Sequence, residues 1–111
     1  MDRPSWVKLC SIADVPEQRP HKVEVEGVTV LCARDSTGQI WVFDSRCTHE
    51  DKPLEKGKWD PLAATLTCPF HKAVFAVSQH GAVKAPPACI PLPVYPSCVE
   101  NGFVFVDGDS L

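Results

Sequence analysis

Two short stretches of the chain each combine a cysteine with a histidine. The first is Cys47-Thr48-His49, and the second is Cys68-Pro69-Phe70-His71. Thiolates and imidazoles are side chains that proteins commonly use to bind transition metals. Each stretch offers one sulfur ligand and one nitrogen ligand. Together they predict a four-ligand metal centre held between two facing loops.

Two kinds of metal centre use two cysteines and two histidines. A [2Fe–2S] cluster can carry two thiolates on one iron and two imidazoles on the other, which suits two loops that each give one ligand to each iron. A zinc finger instead groups a cysteine pair before a histidine pair. The order here is mixed and no finger helix is indicated. The [2Fe–2S] cluster is therefore favoured, and structural zinc is the remote alternative.

The elements that must position these loops are short strands, because the chain shows no helical period. Turn signals at Gly27, Gly38, Gly81 and Asn101-Gly102 separate the strands. Residues 44–60 are predicted to be mainly loop, and residues 86–96 are predicted to be a proline-rich segment that crosses the surface. About eight short strands at this spacing predict an all-β fold, an antiparallel β-sandwich or partly open barrel. The predicted strands include residues 6–10, 22–26, 28–32, 40–43, 62–67, 73–77 and 103–106.

The overall composition limits the classes of protein that remain. With 111 residues, 44% of them apolar, the chain predicts a single domain over residues 1–111. A net charge of −3 with no basic run argues against nucleic acid as a partner. The chain has no apolar run of roughly 18 residues, so the sequence predicts no membrane span. The first residues lack a secretion signal, so we expect a cytoplasmic protein, in which the six cysteines favour metal binding over a disulfide scaffold.

The residues around the two stretches resemble those of the Rieske ferredoxins. Pro53-Leu54 and Gly57 resemble the end of that family's first cluster loop, and Phe75 with Gly81 resembles the segment after its second loop. The resemblance extends through Asn101-Gly102 to Val106, so it covers nearly the whole chain; it departs at Glu50-Asp51, where many members carry glycine. It implies a Rieske fold with a two-loop cluster-binding subdomain at about residues 44–75. One [2Fe–2S] cluster per chain is then expected on Cys47, His49, Cys68 and His71.

The resemblance also implies a function in electron transfer. A Rieske ferredoxin passes one electron from a reductase to a terminal oxygenase or similar acceptor, and it has no catalytic residues or small-molecule substrate of its own. An oxygenase would need a second iron site, usually two histidines and a carboxylate, and only His21 and His80 remain for it. The alternative is a small subunit fixed on a larger oxidoreductase, such as assimilatory nitrite reductase, although that subunit commonly lacks the ligands.

Several other residues carry expectations. Cys10, Cys32 and Cys89 are expected to be small apolar or strand residues, and a disulfide between Cys89 and Cys98 stays open. Trp59 is expected either in the core or over the cluster loop. High-potential relatives carry a serine and a tyrosine, whose hydroxyls donate hydrogen bonds to sulfur, where this chain has Ala73 and Phe75. The resemblance therefore predicts a low reduction potential.

Overall fold

The computed structural model describes residues 5–47, 53–69, 73–85 and 91–111, and within them all eleven strands belong to antiparallel sheets. This confirms the all-β fold. None of the described residues forms a helix long and apolar enough to cross a membrane. The strands are β1 (Trp6–Ser11), β2 (His21–Val25), β3 (Val28–Arg34), β4 (Ile40–Asp44), β5 (Lys58–Asp60), β6 (Thr65–Thr67), β7 (Val74–Ala76), β8 (Ala82–Ala85), β9 (Val94–Tyr95), β10 (Ser97–Glu100) and β11 (Phe103–Asp107). Single 3₁₀ turns span Ile12–Asp14, Val77–Gln79 and Gly108–Ser110.

The strands form three sheets with two cores between them. The strand orders are β1-β11-β10 in the first sheet, β2-β3-β4-β9 in the second and β5-β6-β7-β8 in the third. What we call the first core contains Val15, Val25, Val30, Cys32, Ile40, Val42, Val104 and Val106. The second core contains Leu31, Ala33, Phe43, Cys47, Leu54, Trp59, Ala64, Leu66, Cys68, Ala73, Phe75, Val77 and Leu92.

The centre of strand β3, in the second sheet, is buried on both of its faces. On β3, Val30 and Cys32 belong to the first core, whereas Leu31 and Ala33 belong to the second. Successive side chains of a strand point to opposite faces, so a strand between two cores must be apolar at every position. This explains why the four central residues of β3, 30–33, form a continuous apolar run instead of an alternating pattern.

Two-residue turns join neighbouring strands where the sequence predicted them. Glu26 and Gly27 have φ of 50° and 78°, and Asn101 and Gly102 have φ of 52° and 81°. Positive φ at both central positions is the requirement of the turn that matches the twist of a hairpin. The turns between β2 and β3 and between β10 and β11 are therefore confirmed.

The segment from residue 58 to residue 64 differs from the prediction. Residues 58–60 were expected to be loop but form β5, and residues 62–64 were expected to be strand but form a turn. The cause is Asp60, whose Oδ1 accepts hydrogen bonds from the backbone N–H groups of Leu62 at 3.0 Å and Ala63 at 3.4 Å. A three-residue strand also offers too short an alternation to be recognised. The structure also contains β8, β9 and β10, so its eleven described strands exceed the eight or so that the sequence predicted.

Candidate metal centre

Cys47 lies at the start of a loop whose two ends are joined. It follows β4 closely, and the neighbouring Arg46 forms an antiparallel bridge with Pro53 on the returning chain. The backbone N–H of Leu54 donates to the Ser45 carbonyl at 2.8 Å. Cys47 is 1% exposed. The pairing therefore fixes the base of the loop and holds the thiol inside the protein; His49, the second predicted ligand of this loop, lies outside the described residues.

Cys68 occupies the matching place in the hairpin of β6 and β7. Thr67 pairs with Val74, and at the next position the backbone N–H of Cys68 donates to the Ala73 carbonyl at 2.8 Å. Cys68 is fully buried. The strand pairing thus extends to the ends of the second loop, while the predicted ligand His71 lies outside the described residues.

Gly57 allows the segments next to the two loops to approach each other closely. A Cβ atom at this position would lie 2.5 Å from the Thr67 carbonyl oxygen and 3.0 Å from the Leu54 carbonyl oxygen. The backbone N–H of Gly57 also donates to the Leu54 carbonyl at 2.8 Å. A residue with a side chain would separate these segments. The sequence indicated Gly57 as a loop signal and through the resemblance; its close approach to Thr67, the residue before Cys68, gives the physical reason for a glycine here.

Cys47 and Cys68 share the second core with large apolar side chains. Trp59 is one of them: its ring stacks on Phe43 with centroids 6.1 Å apart, and its Nε1–H donates to the Arg34 carbonyl at 2.9 Å. Of the two expectations for Trp59, the core position is therefore confirmed. Apolar surroundings exclude water from the sulfur atoms, and such exclusion is one of the influences that set the potential of an iron–sulfur centre.

The donor set within the described residues fits half of an iron–sulfur centre. Cys47 and Cys68 are both buried, lie at the bases of two separate loops and belong to one apolar core. Soft thiolates suit iron–sulfur clusters. In the described ranges no group of three or more histidine, cysteine or acidic residues could hold a metal ion. The remaining ligands of the predicted set, His49 and His71, belong to the segments outside those ranges.

The cysteines outside this site are located elsewhere. Cys32 is fully buried in the first core and Cys10 packs against it, as the sequence predicted for both. Cys98 is half-buried on β10. Cys89 lies outside the described residues, so its pairing with Cys98 stays a prediction.

Comparison with known proteins identifies the family. Residues 5–96 match the family model of the Rieske [2Fe–2S] domain. The chain belongs to the Rieske family. This Rieske chain is 33% identical over 101 residues to the 3-phenylpropionate/cinnamic acid dioxygenase ferredoxin subunit of Escherichia coli K12, covering 91% of the chain and 92% of the relative. It is also 33% identical over 118 residues to the chloroplastic flavonoid 8-hydroxylase 2 of Ocimum basilicum, of which the chain spans only 22%.

Solved structures share the fold of this Rieske chain. The ferredoxin of Sphingomonas yanoikuyae B1 superimposes with a TM-score of 0.82 at 33% identity, covering 91% of this chain and 96% of that one. A complex of reduced oxygenase and oxidised ferredoxin in carbazole 1,9a-dioxygenase matches with a TM-score of 0.83 at 28% identity, covering 96% and 95%. The cofactor is accordingly one [2Fe–2S] cluster per chain, and the chain is an electron carrier, not an enzyme.

Proposed function

We propose that this Rieske protein is a cytoplasmic ferredoxin that carries one electron from a reductase to a terminal oxygenase. The observation that carries the proposal is the meeting of Cys47 and Cys68, both buried, in one apolar core at the ends of two paired loops. The relatives named as a dioxygenase ferredoxin subunit and as a ferredoxin–oxygenase complex support the choice of partner.

The ligand set follows from the proposed function. Cys47 and Cys68 would hold one iron through their thiolates, and His49 and His71 would hold the other through their imidazoles. When bound, the cluster accepts and releases one electron. The surrounding chain excludes water from the thiolates through the second core. It also holds the base of the second loop in place with the hydrogen bond from Cys68 to Ala73. The whole of residues 1–111 serves as one domain with its cluster loops at about 44–75.

The residues around the loops give the partner a surface to contact. Pro53 and Pro69 are exposed next to the two loops, whereas Leu54 is fully buried and is not available to a partner. Lys56 and Lys58 are exposed basic residues on the chain that returns from the first loop. Glu55 nearby pairs with Lys22 at 3.3 Å, which partly compensates its charge. An acidic patch on the partner therefore complements this side of the ferredoxin.

The proposal is tested by counting electrons in ligand variants. Anaerobic titration of the purified protein should show one electron accepted per chain and returned to an aromatic-ring dioxygenase component. Cys47→Ser and Cys68→Ser should each lose the cluster and the electron uptake, because thiolates are the soft ligands that iron–sulfur clusters need. Cys98→Ser, which changes a half-buried cysteine of another sheet, is the control and should retain both. Normal electron uptake in either loop variant contradicts the ligand assignment.

A second measurement tests whether the carrier is free. Gel filtration of native extract should place the protein at the mass of a single chain. Co-elution with a large oxidoreductase through several columns would support the alternative, a subunit fixed on its enzyme.

A further inference from the structure

Two cysteines meet in the first core, away from the candidate metal centre. Cys10 lies on β1 of the first sheet and Cys32 on β3 of the second, and their side chains form a hydrogen bond with each other. Cys32 is fully buried, whereas Cys10 is half-buried, and the two are not joined by a disulfide. The cluster thiols, in contrast, belong to the second core. The electron-transfer function makes no use of this pair.

An irregularity in β1 aims Cys10 at the core. Lys8 pairs with Phe105, but Cys10 pairs with Val104, so Leu9 has no partner of its own on β11. Such a bulge changes the direction of the side chains that follow it. Directly paired residues of antiparallel strands present their side chains to the same face. Since Val104 is buried in the first core, Cys10 also faces this core, to which Cys32 belongs.

The two thiols differ in reactivity. The hydrogen bond from Cys32 lowers the pKa of Cys10, and burial and the nearby charge of Asp14 oppose this only in part. The same hydrogen bond raises the pKa of Cys32, and burial raises it further. Thiolates, not thiols, attack disulfides. Cys10 is thus the accessible attacking sulfur, and Cys32 is the protected second sulfur.

We propose that Cys10 and Cys32 form a reversible redox pair that exchanges with a low-molecular-weight disulfide such as oxidised glutathione. The Cys10 thiolate attacks one sulfur of that disulfide, the sulfur–sulfur bond breaks, and one glutathione thiolate leaves. Cys32 then gives its proton to a base, such as the glutathione thiolate that has already left, and attacks the Cys10 sulfur, so that the second glutathione thiolate leaves. The protein loses two electrons and two protons, which the oxidant takes up as two glutathione thiols. In a cytosolic protein a disulfide of this kind is characteristically transient and redox-sensing.

The bond would connect two sheets without using a cluster ligand. It joins β1 to β3, and β3 also places Leu31 and Ala33 in the second core beside Cys47 and Cys68. Oxidation therefore stiffens the frame behind the metal centre while leaving its thiols in place. The modification is independent of the proposed partners, so its test does not depend on them.

The experiment uses the purified protein with its cluster bound. It is incubated with oxidised glutathione, the remaining thiols are alkylated, and peptides are analysed by mass spectrometry without reduction. We expect a peptide pair joined through Cys10 and Cys32 and an unchanged visible spectrum. We also expect a rise in Tm of several degrees that dithiothreitol reverses. Full alkylation of Cys10 and Cys32 after this treatment would overturn the proposal.

Variants separate the two sulfurs. Cys10→Ser should abolish the linkage, and Cys32→Ala should leave one glutathione attached to Cys10, because the second attack cannot follow. Cys98→Ser is the matched control and should form the linkage like the unmodified chain. If Cys32→Ala does not fold, the alkylation rates of the unmodified chain decide, with Cys10 expected to react several-fold faster than the fully buried Cys32. Alkylation of Cys10 that is no faster than that of Cys32 would contradict the assignment.

Discussion

Replacing Gly57 with alanine tests how the two loops are held together. The new Cβ would lie 2.5 Å from the Thr67 carbonyl oxygen, which is about 0.9 Å short of ordinary contact at 3.4 Å. Because Leu54 O and Leu66 Cδ1 lie 3.0 Å and 3.2 Å away, the side chain has no free direction. Overpacking of this kind costs about 1–3 kcal/mol in unfolding free energy. Each kcal/mol lowers Tm by roughly 4–8 °C in a domain of this size.

The displaced backbone immediately precedes Cys68, so the variant should also retain its cluster less well. Thermal unfolding followed by circular dichroism measures the stability, and iron per chain during aerobic incubation measures retention. Gly38→Ala is the control: Gly38 has φ +89° and nothing within 4 Å of its Cβ position, so alanine adds only backbone strain of about 1–2 kcal/mol. Wild-type iron retention in Gly57→Ala, or equal iron loss in both variants, would refute the reasoning.

Three further predictions concern the potential, acid stability and docking. The wild-type potential should lie in the lower part of the Rieske range, which runs from roughly −150 to +300 mV. Ala73 and Phe75 are fully buried in the second core, and Ala73→Ser and Phe75→Tyr should each raise the potential by tens of millivolts in protein-film voltammetry. A wild-type value above about +200 mV would contradict the low-potential assignment. Burial raises the pKa of Asp35, but hydrogen bonds from Thr37, Trp41 and the backbone of Gln39 lower it overall. The stabilisation by the Asp35 carboxylate is therefore full above its unfolded-state pKa of about 3.9 and is lost as the pH falls through the lower folded-state pKa. Asp35→Asn should lower the free energy of unfolding by about 1–2 kcal/mol at pH 7, and the variant should lose less stability in acid when urea unfolding is measured at several pH values. The same dependence of stability on pH in both proteins would refute this. Lys58→Glu should slow electron transfer to the oxygenase, measured by stopped-flow absorbance, and should change the dependence of its rate on salt. Lys8→Glu, on the first sheet, is the control and should leave the rate unchanged. Identical effects of the two charge reversals would favour apolar docking through Pro53 and Pro69.

The sequence was informative where a residue's chemistry is local. Asn101-Gly102 identified its turn because both residues tolerate positive φ, and Gly27 likewise marked the turn that leads into β3. The spacing of Cys47 and Cys68 predicted two loops, and the structure brings both thiols into one core.

Other features depend on contacts between segments distant in the chain. β5 escaped prediction because three residues carry no readable period and the side chain of Asp60 sets the turn that follows. The approach of Gly57 to Thr67 exists only after β5 and β6 have paired. The contact between Cys10 and Cys32 likewise depends on a bulge in β1 and on the packing of two sheets.

The central claim is a cluster with two thiolates on one iron and two imidazoles on the other. Mössbauer spectroscopy of the purified protein, oxidised and then reduced by one electron, tests it most directly, because each iron reports its own ligands. We predict two distinct ferric sites of equal intensity, of which only one, the histidine-bound iron, becomes ferrous on reduction. Two equivalent ferric sites would indicate four like ligands and contradict the assignment of His49 and His71. A protein without iron that instead carries zinc would contradict the account as a whole.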